Sequence, residues 1–231
     1  MSKRVAGVLV LLLSLVGTAA FADSLDFNIA GPATGTVSYN GSGGPLVGSG
    51  ISVNTVTGVS TSANTGIALA LTGGTLGWTT GNLTGTTATS WSFGGGGVSS
   101  LTLTGGISSL GIASGTTLLS GFWGTASVFS LGNNFNIAGA TFFDYVNPTL
   151  AAYFGESSAS AWNGNFNISF AASGAPPAGF ASSQVFSGDV VTTAPVPEPA
   201  SAALLILGLF GIAALALGRS RLVIRNSIAA D

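Results

Sequence analysis

The chain has 231 residues and a formal net charge of -2, with seven acidic side chains, five basic ones, and neither histidine nor cysteine. All five basic residues, Lys3, Arg4, Arg219, Arg221 and Arg225, lie close to the two ends, so nothing between Asp23 and Pro199 can neutralise phosphate. That composition excludes nucleic-acid binding by the central part, thiol or imidazole catalysis, lysine Schiff bases and nitrogen- or sulfur-ligated zinc.

Residues 1–22 have the three parts of a secretory signal. Lys3 and Arg4 precede an apolar run from Val5 to Val16, and Ala20-Phe21-Ala22 places small residues at the two positions a signal peptidase must fit. The run is too short for a membrane span, and it ends in a cleavage site. Cleavage after Ala22 leaves Asp23 as the first mature residue.

The body that follows, residues 23–188, reads as short strands separated by turns. Ile67-Ala-Leu69-Ala-Leu71 alternates large and small side chains, and Gly73-Gly74 is expected to close it. Trp91-Ser-Phe93 leads into Gly94 to Gly97, and Leu101-Thr-Leu103-Thr into Gly105-Gly106. Val128, Phe129 and Leu131 meet the turn signal Gly132-Asn133-Asn134, after which Phe135 and Ile137 resume. Phe166-Asn-Ile168-Ser-Phe170 keeps period two across its whole length. One short helix interrupts the pattern: Asn147 caps it, Pro148 suits its first position, and it runs on from Thr149 to Phe154 ahead of Gly155.

The expected fold is all-β, an antiparallel β-sandwich or jelly-roll-like body with that one helix. A β-solenoid is the alternative, because Leu-Thr-Gly-Gly occurs at Leu71 and again at Leu103. A body of this size buries enough apolar surface to fold without disulfides. Its large apolar residues, spaced along the chain, argue against disorder. The glycine-rich stretches Gly41 to Gly50 and Gly94 to Gly97 read as turns and flexible loops, since a phosphate-binding loop needs a lysine that neither has.

Residues 189–199, with their prolines and threonines, read as a stalk. Within it, Val196-Pro197-Glu198-Pro199 is held extended by its two prolines, which can join neither a helix nor a sheet ladder. Residues 200–218 carry no charge and include Ser201 as the sole hydroxyl. As a helix at about 1.5 Å per residue, the segment spans roughly 28 Å, close to the thickness of a hydrocarbon core. Arg219, Arg221 and Arg225 in residues 219–231 mark the cytoplasmic side of such a span. The expected architecture thus adds a signal helix and a carboxy-terminal transmembrane helix to the β-rich body.

Pro197-Glu198-Pro199, an apolar span and then arginines resemble the PEP-CTERM sorting signal, a tail recognised by membrane proteases of the exosortase family. The resemblance covers Pro197 to about Arg225, with all three elements in order, although residues 222–231 run longer than the short basic end usual in the family. It implies an exported protein with signal peptidase and an exosortase-type protease as processing partners. An inner-membrane intermediate, single-pass with its carboxy terminus in the cytoplasm, would precede release to the cell surface or matrix. It further implies a setting in which exopolysaccharide, and hence biofilm, is made.

For chemistry within the body, a carboxylate pair is what remains. Glycoside hydrolysis needs two acids about 5 to 10 Å apart, and Asp144 and Glu156 flank the expected helix. The sequence supplies no pocket to raise one of them and no arginine to depress the other, so they read as solvated. Asp144, Asn147 and Glu156 are also candidate calcium ligands, but no EF-hand loop or calcium-binding repeat is present and no cofactor is expected. Trp78, Trp91, Trp123, Trp162, Tyr145 and Tyr153 offer faces for stacking on sugars. Trp91 and Trp123 are expected in the core, and Trp162, beside Asn163-Gly164-Asn165, in an exposed turn. The expected role is a non-catalytic structural component of the envelope or extracellular matrix. A surface-displayed carbohydrate-binding module, with extracellular polysaccharide as partner, is the alternative, and a glycan-active enzyme ranks last.

Overall fold

Valine, threonine and aromatic residues at every second position, broken by glycine-containing turns, fold into strands whose pairings are all antiparallel. The computed structural model describes residues 22–195 except Gly97. Ala20, Pro197, Glu198, Pro199, Arg219, Arg221 and Arg225, together with the expected signal helix, apolar span and basic tail, lie outside the described residues.

The elements in chain order are β1 (Ser24–Ile29), β2 (Thr36–Tyr39), β3 (Pro45–Ser52), β4 (Thr55–Val59), β5 (Ala68–Ala70) and β6 (Thr72–Thr86). They continue with β7 (Ser90–Gly94), β8 (Ser100–Ile107), a single 3-10 turn, β9 (Ile112–Leu131), β10 (Asn134–Val146), the helix α1 (Pro148–Tyr153), β11 (Trp162–Ala172) and β12 (Phe180–Thr193).

The pairing closes on itself. β1 and β2 lie end to end along one side of β12, from Ser24 opposite Thr193 to Tyr39 opposite Phe180. β4 and β3 form the next line, and β5 and β6 the one after. β8 and β7 then share the slot between β6 and β9. β10 and β11 follow, and β11 pairs with the other side of β12. Eight strand lines in chain order thus form an up-and-down ring without a Greek-key crossover. The all-β body with one short helix is as expected, and opposite walls of the ring face each other across one core as in a sandwich. The jelly-roll connectivity is not what forms, because successive strand lines of the chain are neighbours in the ring.

The two Leu-Thr-Gly-Gly segments find their explanation in this pairing. Thr72 lies opposite Gly106 and Leu76 opposite Leu103, so the copies are antiparallel neighbours on β6 and β8, not successive rungs of a solenoid. Gly73-Gly74 does not close a strand; β6 runs through it with a register shift before Thr75. The Gly132-Asn133 turn joins β9 to β10 as expected. At the other end, β12 continues to Thr193, through residues that read as the start of a stalk. Val190 and Thr192 alternate inward along it and are fully buried, which makes this segment part of the wall.

The interior is aromatic. Trp78, Trp123, Phe142 and Phe166 pack edge-to-face or tilted at ring separations of 4.8 to 6.3 Å. Toward the β9–β10 turn, Tyr39, Trp91, Phe93, Phe135, Phe170 and Phe180 form a second group. Each such ring contributes roughly 1.5–3 kcal/mol through burial. Many outward positions between them carry hydroxyl or amide groups, including Thr102, Thr125, Thr141, Asn163, Asn165 and Asn167, all exposed. Apolar inside and hydroxyl or amide outside is the reverse of the polarity of a lipid-spanning barrel.

Several glycines belong to this packing and not to flexible loops. Gly48 of β3 lies opposite Trp78 of β6, and a Cβ at Gly48 would overlap the indole ring.

Candidate functional site

Asp144 and Glu156, the two acids that flank the helix in sequence, have separate surroundings. Asp144 lies on an inward position of β10 and is completely buried. The Thr192 hydroxyl stands 2.8 and 2.9 Å from its two carboxylate oxygens. Burial pushes the Asp144 carboxyl up to about 7, and the Thr192 hydroxyl partly opposes this by donating to it. One hydroxyl has one proton to donate, so two short contacts are best satisfied when the carboxyl is protonated and donates back.

Glu156 is set by the end of α1. Gly155 takes φ 79°, where a side chain would be strained, while the Glu156 N–H donates to Ala151 O and the Gly155 N–H to Ala152 O. This stop leaves the Glu156 carboxylate accepting from the Ser62 N–H at 3.3 Å. Desolvation raises its pKa first, and a hydrogen bond shared with the Asp23 carboxyl raises it further, against the Ser62 N–H. Asp144 is therefore engaged with Thr192 inside the ring, and Glu156 with Ser62 and Asp23 at its rim.

Asn147 does cap α1, accepting from the Thr149 and Leu150 N–H groups at 3.0 and 3.3 Å while its amide donates to Thr117 O. Its side chain is thereby fully used as a cap. Among the described residues no group of three or more acidic side chains gathers as a metal site. Asp26 sits on the wall between β12 and β4 with one carboxylate oxygen buried and unpartnered. Burial raises its pKa, and the nearby Asp189 raises it further.

The tryptophans proposed for sugar stacking are all inside. Trp91 and Trp123 are in the core as expected, and Trp78 is 3 % exposed. Trp162 departs from expectation: it opens β11 instead of lying in a turn, is fully buried, and donates its indole N–H to Ser157 O at 3.0 Å. The strand begins there because Asp144 opposite it extends β10, which draws Trp162 into the ladder.

Aromatic surface is instead supplied by phenylalanines and by Tyr145. Phe122 and Phe143 are cross-strand partners on the outer face with rings 5.6 Å apart, and Tyr145 is exposed beside them. Nearer the β9–β10 turn, Phe129, Asn136 and Ser169 lie side by side across β9, β10 and β11. On β12 the register shifts between the Ser169–Ser187 and Phe170–Val185 pairs, so Phe186 is an extra residue with no partner and its ring is re-aimed outward. Phe129, Ser130, Leu131, Asn134, Asn136, Ser169 and Phe186 line a cleft of about 420 Å³ with no charged side chain. A signal for it exists in the sequence. Val128-Phe129 and Val185-Phe186 are adjacent apolar pairs, and a strand whose faces alternate cannot bury both members of such a pair.

Compared with protein-family models, curated proteins and solved structures, the chain matches none of them.

Proposed function

We propose that this chain is a non-catalytic exported protein, a β-rich structural or surface component delivered to the cell envelope or extracellular matrix by a PEP-CTERM-like tail. In this reading residues 1–22 form a signal helix cut after Ala22 by signal peptidase. Residues 200–218 span the inner membrane as a helix with Arg219, Arg221 and Arg225 in the cytoplasm. Pro197-Glu198-Pro199 is then presented to an exosortase-type protease, which releases the body.

The observation that carries the reading is the placement of the two ends of the body. Ser24 pairs with Thr193, and the Ala194 N–H donates to Asp23 O at 2.8 Å. The two ends of the body therefore lie on adjacent strands at one end of the ring. The outer wall of hydroxyl and amide side chains suits a hydrated, weakly charged surface protein.

Fractionation of cells that possess an exosortase, followed by intact-mass measurement, tests the proposal. The expected product begins at Asp23 and lacks Arg219 to Arg225. An alternative with Asp144 and Glu156 as a hydrolytic pair draws no support from their geometry, since each is engaged by different partners.

A further inference from the structure

Beyond its delivery, we infer that the cleft between Phe129 and Phe186 is a binding site for an uncharged carbohydrate. Each feature of the cleft points to the same ligand chemistry. Phe129 and Phe186 are 48 % and 37 % exposed, far more than phenyl groups that serve only as packing. They stand at opposite sides of a floor made by Asn136 and Ser169, whose side chains are joined by an amide-to-hydroxyl hydrogen bond of 3.1 Å. Phenyl walls with a hydroxyl and amide floor match a sugar ring, which offers C–H faces to aromatic groups and hydroxyls at its edge.

The floor is also incomplete. Asn136 Oδ1 is buried and has no hydrogen-bond partner. If the amide is turned over, the Ser169 hydroxyl satisfies Oδ1 and the amide nitrogen becomes the unpartnered atom. Either orientation leaves one buried amide atom of the floor without a partner. The volume of about 420 Å³ is that of a small-ligand site and accommodates one or two sugar units.

Charge selects among carbohydrates. The lining has no cation, and the body between Asp23 and Pro199 has none anywhere, while its net charge is negative. A uronate or sulfated polymer would be repelled without a compensating contact, whereas a neutral one is not. Phe129, Leu131 and Asn134 flank the β9–β10 turn, at the end of the ring opposite Ser24 and Thr193.

The test uses the full chain purified in detergent, so that it depends on neither processing step. Affinity electrophoresis through gels containing dextran, galactomannan, xylan or mixed-linkage β-glucan, with alginate as the anionic comparison, reports binding directly. Saturable retardation by at least one neutral polymer and none by alginate is expected. The double variant Phe129→Ala/Phe186→Ala should weaken binding at least tenfold without altering the melting temperature by more than a few degrees, because both rings are exposed. Asn136→Leu, which keeps the side-chain volume and removes both polar atoms of the floor amide, should also weaken binding.

Retardation by none of the neutral polymers, equal retardation by alginate, or binding that survives both variants overturns the inference. So does a concentration-dependent dimer abolished by the double variant, which would make the cleft a contact between two copies of the chain. None of these outcomes bears on whether the tail is cut, and an uncut tail would leave the binding result standing.

Discussion

Gly48 and Trp78 face each other across β3 and β6, and the indole occupies the space where any other residue would place its Cβ. Trp78 in turn packs edge-to-face on Phe166 at 4.8 Å and tilted on Trp123 at 6.3 Å. A single cross-strand pair thus couples the glycine content of the chain to its aromatic interior. Gly48→Ala should destabilise the body by roughly 1–3 kcal/mol through overpacking, read as a lower urea midpoint at unchanged slope. A neutral effect would mean that the indole has room elsewhere.

Asp144 predicts an unusual pH dependence. Its carboxyl titrates at about 7 in the folded chain and near 3.8 when unfolded, so between those values the folded state holds more protons. Stability therefore falls as pH rises from about 4 to about 7 and levels off above, by about 4 kcal/mol at most. Glu156 and Asp26, both raised, add to the slope with the same sign. Asp144→Asn should remove most of the slope and raise the urea midpoint at pH 8, since it no longer buries a charge beside Thr192.

Trp162 discriminates between a packing role and a surface role. It is fully buried and hydrogen-bonded to Ser157 O, so Trp162→Ala should cost about 3–5 kcal/mol in denaturant unfolding. If Trp162 were a surface platform, the same change would leave stability within about 0.5 kcal/mol.

The helix stop and start are testable in parallel. Asn147→Ala removes the acceptor for two N–H groups and should cost about 1 kcal/mol. Gly155→Ala places a Cβ at φ 79° and should cost at least as much, with faster amide exchange confined at first to α1 and the Ser62 contact.

Much of the wall was legible from residue pattern, for a physical reason. Period-two segments such as Phe166 to Phe170 have one answer for which face is inside, and Asn147-Pro148 with Gly155 has one answer for where a helix begins and ends. What period two does not encode is which strand lies beside which. The two Leu-Thr-Gly-Gly segments look like a repeat along the chain and turn out to be neighbours across β6 and β8. Glycines between apolar residues suggest loops, yet Gly48 is required by a ring that sequence distance hides. Trp162 differs from expectation because Asn163-Gly164-Asn165 has the composition of a turn, while its alternation with Phe166 is that of a strand. The cleft is hidden for a related reason: the tryptophans, the obvious stacking residues, go to the core, while its phenyl walls come from the adjacent apolar pairs Val128-Phe129 and Val185-Phe186.

Intact-mass analysis of the native protein from an exosortase-containing cell decides the delivery reading. A mass corresponding to a chain that starts at Asp23 and ends close to Pro199, with or without an attached group, is the result expected. A mass that still includes Arg219, Arg221 and Arg225 would contradict it, and with it the proposed route to the surface.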